Sequence, residues 1–140
     1  MLLPVFEVSI LAPDHALFEG RVRSLVAPGV EGYFGVLARH APTIAQLGTG
    51  VLSVTTEQGK QEFFACASGF VEVEPDHVTI LADTAEAAEE IDLARARAAE
   101  RRARERLQAH SPNVDIARAE AALRRALVRL RTAEKSRGRG

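Results

Sequence analysis

The sequence predicts two unlike parts in one chain: an N-terminal antiparallel β-sandwich or flattened barrel over residues 1–86, and a C-terminal α-helical hairpin over 87–134. Residues 135–140 are expected to be a disordered tail. Three observations lead there. Apolar side chains recur with a period of about two in the first part and of about 3.6 in the second. Every Phe, the one Tyr and nearly all the Gly lie before position 86, whereas Ala, Arg, Glu and Leu dominate after it. Charge divides at the same place: four basic residues stand against ten acidic ones before 86, and fourteen against nine from there on, so balances of −6 and +5 hide inside a net charge of −1.

The first part reads as a series of short strands. Phe6, Val8 and Ile10 alternate with Val5, Glu7 and Ser9, and Val22, Ser24 and Val26 alternate with Arg21, Arg23 and Leu25. At least three more β-rich runs lie between Gly50 and Asp83. Glu57-Gln58-Gly59-Lys60 is a hairpin turn, Ser68-Gly69 a break or bulge, and Pro75-Asp76-His77 a turn. Seven or more strands at this spacing, with no helical period between them, exclude a parallel α/β fold in favour of a sandwich or barrel.

In the second part Asp92 starts a helix running to about Leu107. Ser111, Pro112 and Asn113 break it, and Asp115 opens a second helix through about Ala133. Ile116, Ala119, Leu123, Ala126 and Leu130, widened by Leu127, mark one face of the second helix for burial. The matching face of the first is mostly alanine, with Ala96, Ala99 and Ala103 before Leu107. At about 25 cal/mol per Å² such a seam contributes only a few kcal/mol, against about 1–2 kcal/mol of ordering cost per residue. Both segments are rich in strong helix formers. The expectation is therefore helices that persist while their docking is negotiable.

Several function classes find no support in the residues. No run approaches the ~18 apolar residues of a membrane span, and the N-terminus lacks a basic region, so no signal peptide is expected. Cys66 is the single cysteine, which excludes an internal disulfide or a multi-cysteine metal site and suits a core position. His15, His40, His77 and His110 are scattered without an acidic cluster at ligand spacing, so structural roles are expected. Ser24, Ser53 and Ser68 lack a nucleophile elbow. Gly29, Gly32 and Gly35 precede no helix start and so suit turns better than a phosphate loop. No catalytic residue and no metal site are assigned. What stands out is the arginine pattern. Asp92, Arg95, Ala99 and Arg102 fall at 3,4,3 spacing on one helical face, and Arg125 and Arg129 lie four apart on the other helix. Packed antiparallel, the two helices would gather guanidiniums, whose planar forks grip phosphate oxygens in pairs. The bland reading of the same arginines is a solvated face with pairs such as Glu100 to Arg104.

Four stretches carry a resemblance: FEVSILAPD at 6–14, PGVEGYFGVLARHAP at 28–42, SGFVEVEPDHVTILAD at 68–83 and RAEAALRRALVRL at 118–130. Together, in this order and after a β domain of this size, they resemble the epsilon subunit of bacterial rotary ATP synthases over all but the final tail. One departure is Ala38, where family members often have Pro.

The resemblance implies a non-catalytic rotor subunit at the foot of the central stalk, coupling proton translocation to ATP synthesis. Its partners would be the gamma subunit and the c-ring, the latter met by loops around Glu31 to His40. In an extended state the hairpin would reach acidic loops on the alpha and beta subunits and inhibit ATP hydrolysis. No cofactor is required, and ATP is implied as a regulatory ligand of the compact hairpin. Family members that bind it carry an I/L-D-x-x-R-A motif, matched here by Ile91, Asp92, Arg95 and Ala96. Glu86 corresponds to an upstream acid, and Arg102, Arg125 and Arg129 to phosphate-facing arginines. The implied location is peripheral, on the cytoplasmic face of the bacterial plasma membrane and in contact with it only through the complex. An Arg-rich nucleic-acid-binding module is the alternative, opposed by the lack of stacking aromatics in the basic part.

Overall fold

The computed structural model describes residues 2–138. Seven strands come first: β1 (Phe6–Ala12), β2 (His15–Gly29), β3 (Gly32–Val36), β4 (Thr43–Leu47), β5 (Gly50–Thr56), β6 (Gln61–Val73) and β7 (His77–Ala87). A single 3-10 turn, Ala88–Glu90, leads into α1 (Leu93–Gln108) and α2 (Ile116–Arg137).

Strand pairing closes a ring. β1 pairs with β2, β2 with β5, β5 with β6, β6 with β7, and β7 returns to β1. β3 lies on the far half of β2 and β4 on the far half of β6, joined by a bridge between Gly29 and Leu47, which flattens the ring into a sandwich. One contact departs from the antiparallel expectation: β1 and β7 run parallel. A parallel pair needs a long crossover, and the whole intervening domain supplies it. β6 runs through the break expected around Ser68-Gly69 without a shift of register, and the irregularity is confined to the backbone angles there. β4 and β5 meet β6 in one continuous register on either side of Gly48-Thr49, with Leu47 opposite Gly69 and Gly50 opposite Cys66. Ser68 and Gly69 there have φ of 54° and 131°, and a Cβ on Gly69 would stand 2.0 Å from the Leu81 carbonyl oxygen, so only glycine fits.

Alternation puts one face of each strand inside. Phe6, Val8 and Ile10 of β1 meet Val22 and Leu25 of β2, Leu52 and Val54 of β5, Val71 and Val73 of β6, and Val78 and Ile80 of β7 in one buried cluster. These branched side chains interlock and fix the register, because a one-residue slip would turn them all outward.

The hairpin folds back onto this domain. Asp92 and Asp115 cap their helices, each side chain accepting a hydrogen bond from the backbone N–H three residues on, at 3.1 Å. α2 lies on β5 and β6, and α1 packs on α2. A second, smaller cluster joins Val51, Phe63 and Ala65 of the sheet to Ala88 and Ile91 before α1 and to Val128 and Ala133 of α2. The expected single apolar stripe of α2 is thus divided. Ala119 and Ala126 are buried in the seam with Ala96 and Ala103 of α1, while Val128 and Thr132 are buried on another face; Ala133, seven residues after Ala126 and so in its row, reaches the small cluster. Ile116, expected in the stripe, is 62% exposed at the first turn. The helix also outruns its expected end. Residues through Arg137 are helical, because Lys135 Nζ sits 5.9 Å from the centre of the Phe63 ring and Ser136 donates to Glu89. Residues 139–140 of the expected disordered tail lie outside the described residues.

Candidate functional site

Where the hairpin meets the sheet, a cleft of about 670 Å³ opens between α1, α2 and the edges of β6 and β7. Its two helical walls follow from periodicity. Ala99, Arg102, Ala103 and Arg106 are one face of α1, and Ala122, Arg125, Ala126 and Arg129 one face of α2, each at 3,1,3 spacing. Alanines let the helices approach and leave room above them, so the longer arginines reach over the space. The sheet contributes Ala65, Cys66 and Ala67 of β6 and Thr84, Ala85 and Glu86 of β7.

Charge is arranged unevenly along it. Arg129 is already engaged: its Nε donates to Glu86 Oε1 at 2.8 Å and its Nη2 to Oε2 at 3.2 Å, a bidentate pair. The guanidiniums of Arg102, Arg106 and Arg125 form no hydrogen bond or ion pair with another of the described residues. The cleft therefore combines an apolar floor, three free guanidiniums and one that is oriented. That set suits an anion carrying a flat or apolar body. Burial pushes the Cys66 thiol up to about 12, so this floor residue is an uncharged thiol at neutral pH.

The residues expected to bind ATP separate into two groups. Glu86, Arg102, Arg125 and Arg129 come together on the cleft. Ile91, Asp92, Arg95 and Ala96 do not line it. Ile91 is buried in the small cluster, Asp92 caps α1 by accepting from the Arg95 backbone N–H, and Ala96 is fully buried in the helical seam. In this structure the motif starts and seats α1. Sequence reasoning missed Arg106 and Glu90, which also line the cleft. Arg106 was within reach, since it continues the same helical spacing four residues after Arg102. Among the described residues no group of three His, Cys, Asp or Glu side chains is placed to hold a metal, and no helix is long and apolar enough to cross a membrane.

Comparison with known proteins follows the same division of the chain. Residues 5–88 match the model of the ATP synthase delta/epsilon chain β-sandwich domain, and residues 89–134 that of the delta/epsilon chain long α-helix domain. The chain belongs to the ATP synthase delta/epsilon family. Within that family, similar relatives include ATP synthase epsilon chains. The ATP synthase epsilon chain of Moorella thermoacetica is 47% identical over 107 residues, covering 76% of this chain and 80% of its own. That of Halorhodospira halophila is 41% identical over 138 residues, 98% of both. Among solved structures, a chain from the Euglena gracilis mitochondrial ATP synthase, in an assembly of OSCP, F1 and c-ring, superposes with a TM-score of 0.76 at 30% identity, covering 89% of this chain and 79% of its own. An epsilon chain is a subunit of ATP synthase, and the β domain and hairpin are its two family modules.

Proposed function

We propose that the chain is a non-catalytic rotor subunit of the central stalk, coupling proton translocation to ATP synthesis, and that its hairpin restrains ATP hydrolysis under the control of ATP. The observation that carries the regulatory part is the cleft. Its walls come from α1, α2 and the sheet at once, so it exists only while the hairpin is docked. A ligand that fills it binds the compact state alone. At 100 times its dissociation constant such a ligand contributes about 2.7 kcal/mol to that state, enough to reverse a modest bias. ATP suits the cleft because its phosphates would meet Arg102, Arg106 and Arg125 while its base lies on alanine surface. When ATP leaves, the hairpin is free to extend. Its surplus of positive charge would then face acidic loops on the alpha and beta subunits and oppose rotation in the hydrolysis direction.

The stalk role is supported by two exposed apolar regions of the β domain. On the outer face of β4, β6 and β7, Phe70 pairs directly with Leu81, and Ile44 pairs with Glu72 two residues away; these three side chains are 55%, 51% and 74% exposed. A contiguous apolar patch of that kind suits a permanent partner, here the gamma subunit. Val30, Tyr33 and Leu37 are exposed around the β2–β3 turn, in and beside the Glu31 to His40 region expected to meet the c-ring. Through these partners the chain would be held at the cytoplasmic face of the bacterial plasma membrane without entering it.

Two experiments test the proposal. Titrating the protein with ATP should show saturable binding that an Arg102→Ala, Arg125→Ala double variant loses; negligible binding by both would remove ATP from the account. Deleting residues after Ala88 should raise ATP hydrolysis by the assembled complex while leaving assembly intact. Unchanged hydrolysis in the truncated complex would remove the inhibitory role.

A further inference from the structure

We infer that a second groove, on the side of α2 turned away from the cleft, is a docking site for an acidic segment of a partner protein, one that sets a carboxylate beside an apolar side chain. Sheet register lays the floor. Phe63 of β6, Ser53 of β5 and Val26 of β2 stand side by side on one face. α2 covers the Phe63 end, whereas Val26 stays 40% exposed. The facing wall is Tyr33 of β3, which crosses Pro28 and Gly50 so that its hydroxyl accepts from the Val51 N–H at 2.9 Å. Gly50 makes that crossing possible, since a Cβ there would stand 2.5 Å from the Pro28 Cβ and 2.6 Å from the Tyr33 hydroxyl oxygen. Between Tyr33 and α2 lies a space of about 300 Å³, none of whose lining residues borders the cleft.

Two cations border this floor. Arg131 and Lys135, four residues apart on α2, line the groove, and no acidic residue does. The Lys135 ammonium sits 5.9 Å from the centre of the Phe63 ring, and the Arg131 guanidinium has no hydrogen bond or ion pair with another of the described residues. Aromatic and aliphatic surface beside two unanswered positive charges is complementary to a carboxylate next to an apolar side chain: the arginine fork takes carboxylate oxygens in pairs while the apolar side chain covers Val26. A phosphate-rich polymer fits less well, because its affinity draws on many cations and the groove has two. One wall belongs to the hairpin, the floor and facing wall to the β domain, so an occupant binds only the docked arm. The groove gives a protein partner a hold on the hairpin from the side opposite the cleft and independent of it.

The test uses the full chain without ATP and a capped octapeptide of alternating Leu and Glu. In an NMR titration the peptide should bind saturably, shifting the Val51 amide and the Arg131 side chain most. The same peptide with Gln for each Glu should bind about ten-fold more weakly, and Arg131→Gln should weaken the acidic peptide about five-fold with the folded spectrum intact. At ten times its dissociation constant the peptide should slow amide exchange of residues 126–133 about ten-fold, as for a ligand of the docked state alone. No saturable binding, equal affinity of the two peptides, or shifts centred on the cleft arginines would overturn the assignment. An octathymidylate that displaces the peptide and binds more tightly would give the groove to nucleic acid and overturn the choice of partner. Unchanged exchange with the peptide bound would overturn its hold on the hairpin. None of these readouts involves the cleft, so a chain that binds no ATP decides the groove equally well.

Discussion

The β domain and the hairpin are both fully formed, yet they are held in different ways. Inside the sandwich, Ile10, Leu25, Leu47, Leu52 and Ile80 are buried with less than 2% of their surface exposed, and strands on both sides fix each one. The hairpin seam is made by Ala96, Ala103, Ala119 and Ala126, and its seat on the sheet by one small cluster, one ion pair and the Lys135 ammonium over the Phe63 ring. Burial of apolar area scales the stabilisation, so the sandwich is a fixed body and the hairpin a docked one. The lesson is that helicity and docking are separable: capped helices rich in Ala, Arg, Glu and Leu persist as helices whether or not they are seated.

The contrast can be broken most forcefully from the sandwich side. Ile80→Ala in β7 removes a side chain with 0% exposure and should cost about 2–5 kcal/mol in chemical denaturation, lowering the melting of the whole domain. Ala103→Leu in the seam should act otherwise. It overpacks a site meant for close helix approach, at about 1–3 kcal/mol, and should undock the hairpin while circular dichroism still reports both helices and the sandwich midpoint stays put. A loss of sandwich stability equal to that of Ile80→Ala would mean the two parts are one cooperative unit. Smaller still, Asp92→Ala removes the cap of α1 and should cost about 1 kcal/mol of local helix stability, visible as faster amide exchange at residues 93–96. The smallest effect concerns Cys66. With its folded pKa raised to about 12, its alkylation by iodoacetamide should stay far slower than that of the urea-unfolded chain throughout pH 7 to 9, because burial keeps the thiolate fraction small. The sign of the linkage follows: the folded state keeps a proton that the unfolded state releases, so this group's contribution to stability falls as pH climbs from about 9 towards 12.

Much of this contrast was legible in the sequence, and the exceptions are instructive. Alternation at Phe6, Val8 and Ile10, the turn at Glu57 to Lys60, and the caps at Asp92 and Asp115 are local signals, and they locate their elements well. The parallel β1–β7 pairing was not legible, because it joins distant segments and leaves no local trace. Helix α2 misled in a different way. A single helix with two neighbours needs two apolar faces, and alanine serves a seam without standing out, so Ile116 drew notice while Val128 and Thr132 did not. At the cleft, helical spacing placed Ala99 and Arg102 on one wall and Arg125 and Arg129 on the other, but it also grouped Asp92 and Arg95 with Arg102, and these lie off the cleft, where Asp92 caps α1. Spacing along one helix says which side chains share a face; it does not say which face a third element will cover.

Amide hydrogen exchange on the intact protein, with and without ATP, tests the central claim most directly. A docked but movable hairpin predicts that α1 and α2 exchange well ahead of β6 and β7, and that ATP slows the helices while leaving the strands unchanged. Helices as strongly protected as those strands in both conditions would contradict it.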